Sequence, residues 1–212
     1  MSQAFINSLK SELEKPLPGL ELQWEMAHVN REKIKPQELE NINYRQSAVL
    51  LLIYKKGNDY FLPLTERQTY KGAHSGQISL PGGKYEDKDE TLQNTALREC
   101  AEEIGMPNKI EILGALTPVY IPVSGFVVNP FVAFLHDELP AFNINVNEVK
   151  ELIHLNLADL LKPELKQITT VEPMPGLKLK TPYFNVQGKV IWGATAMLLN
   201  EFKSVLKNVD LK

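Results

Sequence analysis

The stretch RECAEEIG, residues 98–105, ends a predicted helix in three glutamates, Glu99, Glu102 and Glu103. At about 100° per residue, these carboxylates share one side of the helix, and apolar side chains, among them Cys100, share the other. Like charges four residues apart repel each other, and the C-terminal end of a helix already carries partial negative charge. The cluster is therefore unfavourable alone, and a divalent cation such as Mg²⁺ or Mn²⁺ would offset the repulsion.

The residues on either side predict where this helix begins and ends. The segment DETLQNTALRECAEEIGMP, residues 89–107, has Asp87 or Asp89 as its candidate N-cap and Gly105 directly after its end. The preceding Pro81-Gly82-Gly83 predicts a turn whose backbone can approach a ligand closely. Three glutamates alone would be typical of a solvated acidic helix end, whereas the glycine turn, acidic loop and helix together favour a ligand site.

The whole chain has the composition of an ordinary globular protein. It has 212 residues, of which 43% are apolar and 23% charged, and its net charge is −3. We expect a single domain over residues 1–212, with neither a nucleic-acid nor a membrane partner, since the apolar runs are shorter than the roughly 20 residues that span a bilayer. The single cysteine favours a cytoplasmic location, and we expect neither end to be a signal peptide.

Strand-like and helical segments alternate along the chain. The segment AVLLLIYKKGNDYFLPLTER, residues 48–67, predicts a β-hairpin, and strand-like segments follow at 76–83 and 109–136. A last helix is expected from near Trp192 toward Leu206, with Trp192 as a core anchor. This order predicts the α/β class, with a mixed sheet flanked by helices.

The N-terminal residues 1–40 carry fewer signals. A short helix is expected within AFINSLKSELEK, residues 4–15, ended by the Pro-Leu-Pro-Gly that follows. We expect this extension to pack on the domain or on a partner, and the sequence does not choose between them. A homodimer is left open.

Residues 83–106 resemble the signature of the Nudix hydrolases, G-x5-E-x7-R-E-U-x-E-E-x-G-U, where U is apolar. Six residues separate Gly83 from Glu90 where the signature has five, so Asp89 has the usual distance from the glycine and Glu90 the usual distance from the arginine. The resemblance implies the Nudix fold, an α/β/α sandwich around a mixed β-sheet, with the signature at about 82–106. The matching residues are Gly83, Glu90, Arg98, Glu99, Cys100, Glu102, Glu103, Gly105 and Met106.

The flanking residues resemble the coenzyme A pyrophosphatases of that superfamily. Their upstream motif is close to L-T-x-R-S-x3-R-x-H-x-G-Q-x2-F-P-G-G, and residues 64–83 are LTERQTYKGAHSGQISLPGG, with Gln68, Gly72 and Leu80 replacing Ser, Arg and Phe. The likeness runs from about residue 45 to 206. It implies metal-dependent hydrolysis of coenzyme A or acyl-CoA to 3′,5′-ADP and the 4′-phosphopantetheine portion.

The same resemblance implies roles for individual residues. Glu99 and Glu103 are expected to hold Mg²⁺ or Mn²⁺, and Glu102 is a further ligand or the general base. Arg98 would orient these carboxylates. Glu148 lies in a segment where many Nudix proteins supply another ligand or base, and a backbone carbonyl of the glycine turn, at Gly82 or Gly83, would complete the ion's shell.

A small-molecule nucleotide is the expected partner. Arg67 and Lys71 are the candidate cations for the 3′-phosphate of coenzyme A, with Lys71 one residue from the position where Gly72 replaces the usual arginine. The alternative substrates are ADP-ribose, NADH and dinucleoside polyphosphates, and a less expected reading is a non-catalytic nucleotide-binding module. Cys100, on the apolar side of the helix, is expected in the core. The candidate substrate contacts are Arg67, Lys71, His74, Gln77 and Gly82.

Overall fold

A computed structural model describes residues 2–34, 36–68, 76–105, 109–136, 141–174 and 176–211. Two predicted substrate contacts, Lys71 and His74, lie outside the described residues, as does Met106 of the signature. Within these ranges, no helix is long and apolar enough to cross a membrane. The helices are α1 Ser2–Leu13, α2 Leu20–Trp24, α3 Leu92–Ile104, α4 Leu157–Leu161 and α5 Gly193–Leu206, with short 3-10 helices at Pro36–Asn41, Asp87–Asp89 and Pro163–Leu165.

Eleven strands form two sheets in the described part of the chain. The larger sheet has eight strands in the order β3-β2-β1-β7-β5, with β4 on β1, β6 on β7 and β8 on β2. The smaller has three, in the order β11-β10-β9. The strands are β1 Arg45–Lys56, β2 Asp59–Arg67, β3 Ile78–Ser79, β4 Gly82–Lys84, β5 Ile110–Ala115, β6 Val119–Ile121, β7 Phe126–Leu135, β8 Val149–Asn156, β9 Lys166–Met174, β10 Leu177–Val186 and β11 Lys189–Ile191.

The large sheet is mixed, as the sequence predicts. Strands β1 and β2 form the predicted antiparallel hairpin, with Lys56 opposite Asp59. Strands β1 and β7 run parallel, from Arg45 opposite Phe126 to Tyr54 opposite Leu135. The small sheet was not predicted, because its strand β9 is largely exposed and lacks the apolar run that identifies a buried strand.

Alternate residues of β1 face opposite sides of the sheet, and each side is covered by helices. Leu50 and Leu52 pack against α3, where Cys100 is buried as predicted. Leu51 and Ile53 belong to the core that includes α1 and α5. The sheet therefore lies between helical layers, which is the predicted α/β/α arrangement.

The C-terminal end of α3 is where the sequence predicts it, and its N-cap is not. Gly105 ends the helix with φ 76°, in the region that favours glycine. The N-cap is Thr91, whose hydroxyl accepts a hydrogen bond from the amide of Asn94 at 3.1 Å. The prediction of Asp87 or Asp89 was wrong, because both lie in the preceding 3-10 turn and the Asp89 carboxylate is bound by Arg98.

The N-terminal segment packs on the rest of the chain rather than extending away from it. Phe5, Ile6 and Leu9 of α1 are buried in the core. Residues 19–23 are held by a buried carboxylate, Glu201 of α5, which accepts hydrogen bonds from the Gly19 amide at 3.1 Å and from Gln23 Nε2 at 2.8 Å.

Glu201 also accepts hydrogen bonds from Thr117, at 3.2 Å from its amide and 2.6 Å from its hydroxyl. The variant Glu201→Gln presents an amide N–H to these donors, so we expect the free energy of unfolding to fall by about 3 kcal/mol, measured by urea denaturation. Proteolysis near residues 14–19 should accelerate. The control is Glu14→Gln on the exposed surface. Equal unfolding midpoints for the two variants would show that Glu201 does not stabilise the N-terminal segment.

Candidate active site

The glycine turn is packed between strand β1 and the glutamates of α3. A Cβ atom on Gly82 would lie 2.3 Å from the backbone oxygen of Ala48. A Cβ atom on Gly83 would lie 2.4 Å from the carboxyl carbon of Glu99. Because the Gly82 clash is with backbone, the turn requires glycine at that position, whereas a side chain at position 83 would displace the Glu99 carboxylate. The Glu99 carboxyl group thereby lies directly against the backbone of the turn.

The three glutamates have different environments. The side chain of Glu103 is 3% exposed, that of Glu99 16% and that of Glu102 50%. The helical periodicity places all three opposite the apolar residues of α3, and the hydrophobic core includes Cys100 and Ile104 but none of the glutamates. Glu103 is nevertheless buried, because it packs against the glycine turn and residues 143–145. The backbone amide of Asn145 donates to the carbonyl of Glu103 at 2.9 Å. Two carboxylates therefore face inward and one faces solvent.

The two inward carboxylates resist ionisation. Burial raises the pKa of Glu103 to about 7, against the opposing effects of Arg67 and of a backbone hydrogen bond from Gly82. The charges of Glu99 and Glu148 add to the rise. Burial also raises the pKa of Glu99, despite its bond to Arg98. The site therefore holds negative charge that the surrounding residues offset only in part.

Arg98 fixes the outer side of this cluster. Its Nε and Nη2 donate to the two carboxylate oxygens of Asp89 at 2.6 and 2.9 Å, and Nη2 also donates to the carbonyl of Lys84 at 3.0 Å. Its Nη1 donates to Glu99 at 2.9 Å and to Glu102 at 3.0 Å. Since a guanidinium has five N–H groups, all of them are used within the protein. Arg98 thus orients two glutamates and ties the acidic loop to α3.

These contacts show which of the two neighbouring acids, Asp89 or Glu90, joins the carboxylate cluster. Asp89 is buried, and it accepts a further hydrogen bond from the hydroxyl of Thr95 at 2.9 Å. The Arg98 guanidinium holds the pKa of Asp89 well below its usual range. Glu90 is exposed, with φ 63°. The acid at the usual distance from the glycine, Asp89, is therefore the one that joins the cluster.

The inward carboxylates fit a divalent cation. Oε2 of Glu103 is buried without a hydrogen-bond partner among the described residues. No group of three or more His, Cys, Asp or Glu in the described ranges is already gathered as a complete metal site. Mg²⁺, however, commonly takes one or two protein carboxylates, with substrate phosphate and water as its other ligands. Glu99, Glu103 and a carbonyl of the glycine turn could hold such an ion.

A segment far along the chain completes this end of α3. The amide of Asn143 donates to the carbonyl of Ile104 at 2.8 Å, which satisfies a backbone oxygen at the helix end. The same segment brings Glu148 close enough for its charge to act on Glu99 and Glu103. The role of Glu148 as a ligand or base stays a prediction.

A cleft of about 730 Å³ lies beside the glycine turn. Four cations, Arg31, Arg45, Arg67 and Lys84, line it together with His28, and none of its described lining residues carries a carboxylate. Gln77 lies in the same wall. Trp192, predicted to be a core anchor, is half-exposed and lines the cleft instead. The contribution of the N-terminal segment was missed, because no local pattern indicates which distant residues meet across a cleft.

Arg67 lies at the border between the cleft and the carboxylates. Its Nη1 is 3.6 Å from Oε1 of Glu103, and its buried Nε has no hydrogen-bond partner among the described residues. A donor, Arg67 Nε, and an acceptor, Glu103 Oε2, thus both lack partners among the described residues, in two side chains that adjoin each other. An anion bound through a cation would satisfy both, which is how a phosphate group is held in many hydrolytic sites.

The chain resembles known proteins over most of its length. The NUDIX domain family model matches residues 44–172. Relatives described as "Uncharacterized Nudix hydrolase NudL" from Escherichia fergusonii and Escherichia coli O7:K1 are each 35% identical over 130 residues, which are 60% of this chain. The chain spans 66% of the length of these relatives.

Among the solved structures that share this fold is a MutT/nudix family protein from Enterococcus faecalis, 15% identical, with a TM-score of 0.50 over 95% of this chain and 74% of that one. The likeness at this level of identity concerns the fold. Because the family model covers more than half of the chain, including the glycine turn and all three glutamates of α3, this protein belongs to the NUDIX family.

Proposed function

We propose that residues 1–212 form a single Nudix hydrolase domain that cleaves the pyrophosphate linkage of coenzyme A or an acyl-CoA, with Mg²⁺ or Mn²⁺ as its cofactor. The products are 3′,5′-ADP and the (acyl-)4′-phosphopantetheine portion. One observation carries the proposal: two inward-facing, partly compensated carboxylates adjoin a cleft that is lined by cations and has no described carboxylate in its wall.

The carboxylates are assigned different roles because their environments differ. Glu99 and Glu103 are assigned as metal ligands, with the carbonyl of Gly82 or Gly83. Glu102, which is half-exposed and oriented by Arg98, serves as a further ligand or as the base that takes a proton from water, and Glu148 is the other candidate for that role. A bound divalent ion would supply charge neutralisation of the diphosphate and a lower pKa for bound water.

Substrate contacts are assigned along the cleft. Arg67, whose Nε has no hydrogen-bond partner among the described residues and whose Nη1 lies 3.6 Å from Oε1 of Glu103, is assigned as a donor to the diphosphate. Gln77 and the backbone of Gly82 lie in the same wall. Lys71 and His74 stay predictions from the motif, since they lie outside the described residues.

The remaining wall favours a substrate with a long, weakly polar arm. Met174, Leu177 and Trp192 line the cleft. Pantetheine and acyl groups present such an arm, whereas the second half of ADP-ribose is a sugar. The lining therefore supports coenzyme A over ADP-ribose, together with the motif at residues 64–83.

A substrate panel tests this choice. With excess Mg²⁺, the enzyme is expected to hydrolyse coenzyme A and acetyl-CoA with higher kcat/KM than ADP-ribose, NADH or diadenosine tetraphosphate, because only the former place an extended arm in the apolar wall. Chromatography should identify 3′,5′-ADP as one product. A preference for ADP-ribose or a dinucleotide would replace coenzyme A by that substrate. Binding of all five without turnover would favour the non-catalytic module.

The two neighbouring acids of the loop give a matched pair of variants. Asp89→Asn loses the charge that binds Arg98, so the orientation of Glu99 and Glu102 should suffer, and we expect kcat to fall at least about tenfold. Glu90→Gln removes an exposed carboxylate one residue along and should keep kcat within about twofold. Steady-state kinetics of both variants measure this difference in kcat. The reverse order would assign the early acid of the signature to Glu90.

The buried charge of Glu103 should lower the stability of the folded protein, although its carboxylate is assigned as a metal ligand. At pH 8, above its pKa of about 7, Glu103 is ionised in both the folded and the unfolded chain. Burial of the charge destabilises only the folded state. In excess EDTA at pH 8, Glu103→Gln is therefore expected to raise Tm by a few degrees (roughly 2–4 °C per kcal/mol). At pH 5 the gain should shrink, because Glu103 then holds a proton in the folded protein.

The same variant should lose the response to metal. Mg²⁺ or Mn²⁺ should raise the Tm of the native protein and leave Glu103→Gln unchanged, with turnover of the variant lower by orders of magnitude. If the native protein and Glu103→Gln had equal Tm values in excess EDTA at pH 8, the buried charge of Glu103 would be compensated without an ion. Undiminished native turnover in excess EDTA would remove the metal from the proposal.

A further inference from the structure

The cleft has a second cationic region, away from the carboxylates of α3. It is supplied in part by the N-terminal segment, which precedes the family-matched residues 44–172. His28 and Arg31 of this segment line the cleft together with Arg45, the first residue of β1. The reaction at the glycine turn uses none of these three side chains, so their presence in the same cleft calls for a separate explanation.

Two of the cations are fixed to β6 and to the turn that follows it. Arg31 Nη2 donates to the carbonyl of Tyr120 at 2.6 Å, and Arg45 Nη2 donates to the carbonyl of Ser124 at 2.6 Å. The first carbonyl belongs to β6, and the second to the turn between β6 and β7. The Arg45 guanidinium also lies over the Phe126 ring, with Cζ 4.0 Å from its centre. These contacts hold two guanidinium groups at one end of the cleft.

Within the described part of the chain, Arg31 and Arg45 lack anionic partners. Neither Arg31 nor Arg45 forms an ion pair with a carboxylate of the described residues, although Arg31 is half-buried. Burial lowers the pKa of Arg31, so the cation has lost hydration without gaining a counter-charge. Such a cation favours an anionic ligand, because hydrogen bonds to a charged group are stronger in a partly desolvated site.

His28 provides an additional unpaired group. Its Nδ1 is buried and has no hydrogen-bond partner among the described residues. It lies near enough to Arg31 for that charge to lower its pKa, although burial is the larger cause. A buried polar atom without a partner is uncommon in a folded protein, and a ligand oxygen or hydroxyl in the cleft would satisfy it.

We propose that His28, Arg31 and Arg45 form a subsite for a phosphate monoester, remote from the linkage that is hydrolysed. If the proposed function holds, the ligand is the 3′-phosphate of coenzyme A. Arg67, expected from the sequence to read that phosphate, lies against Glu103 and is instead assigned to the diphosphate. The N-terminal segment thus selects the substrate, while the signature residues perform the hydrolysis.

The subsite is tested by binding, without turnover. The full-length protein in EDTA is titrated calorimetrically with 3′,5′-ADP, with 5′-AMP and with inorganic phosphate. The native protein should bind 3′,5′-ADP about tenfold or more tightly than 5′-AMP, since each charge-assisted contact is worth about one to two decades. Arg31→Gln and Arg45→Gln should each shrink that ratio at least about threefold and leave the affinity for 5′-AMP unchanged.

Matched variants separate recognition from folding. Lys33→Gln removes an exposed cation of the same segment that lies over Trp24, and it should keep the native ratio. Arg45 is also exposed, so Arg45→Gln should keep the native Tm even if Arg31→Gln unfolds the segment. Arg31→Lys, which keeps the charge, should recover part of the ratio.

The outcomes distinguish this subsite from the proposed substrate. Equal binding of the two nucleotides by the native protein would overturn the subsite, whichever substrate is hydrolysed. A ratio unaffected by Arg31→Gln and Arg45→Gln would overturn it as well. Inorganic phosphate that binds as tightly as 3′,5′-ADP and is lost in both variants would assign the site to free phosphate and not to the substrate. A native ratio above tenfold without coenzyme A hydrolysis would support the subsite and reject the substrate.

Discussion

The guanidinium of Arg98 is the contact on which the geometry of the site depends. Four acceptor groups, from Asp89, Glu99, Glu102 and the carbonyl of Lys84, converge on its five N–H groups. Without it, the acidic loop would be linked to α3 only through Asn94 and Thr95. The glutamates would also repel one another at the negative end of the helix dipole. One cation thus gathers the carboxylates of the candidate active site.

The inner side of the cluster is left less balanced. Glu103 is nearly fully buried. Among the described residues, Arg67 is the cation paired with it, at 3.6 Å, and one of its carboxylate oxygens has no partner. A structure selected for stability alone would neutralise or replace this charge. Its persistence beside Glu99 is typical of a functional site that is completed by a ligand.

The N-terminal segment connects stability with recognition. Its helix α1 contributes to the core, and Glu201 holds residues 19–23 through buried hydrogen bonds. Those anchors fix the start of the segment that continues to His28 and Arg31 at the cleft. The same packing that protects the sheet therefore sets where two candidate ligand groups lie.

The sequence by itself determined the local features of this protein. The 3.6-residue period, Gly105 and the turn residues between β1 and β2 identified α3, its end and the hairpin, since these signals act over a few neighbouring residues. Only the tertiary structure decided that Glu103 is buried, that Asp89 rather than Glu90 binds Arg98, and that the N-terminal segment reaches the cleft. Each of these depends on contacts between segments far apart in the chain, which periodicity and turn chemistry do not encode.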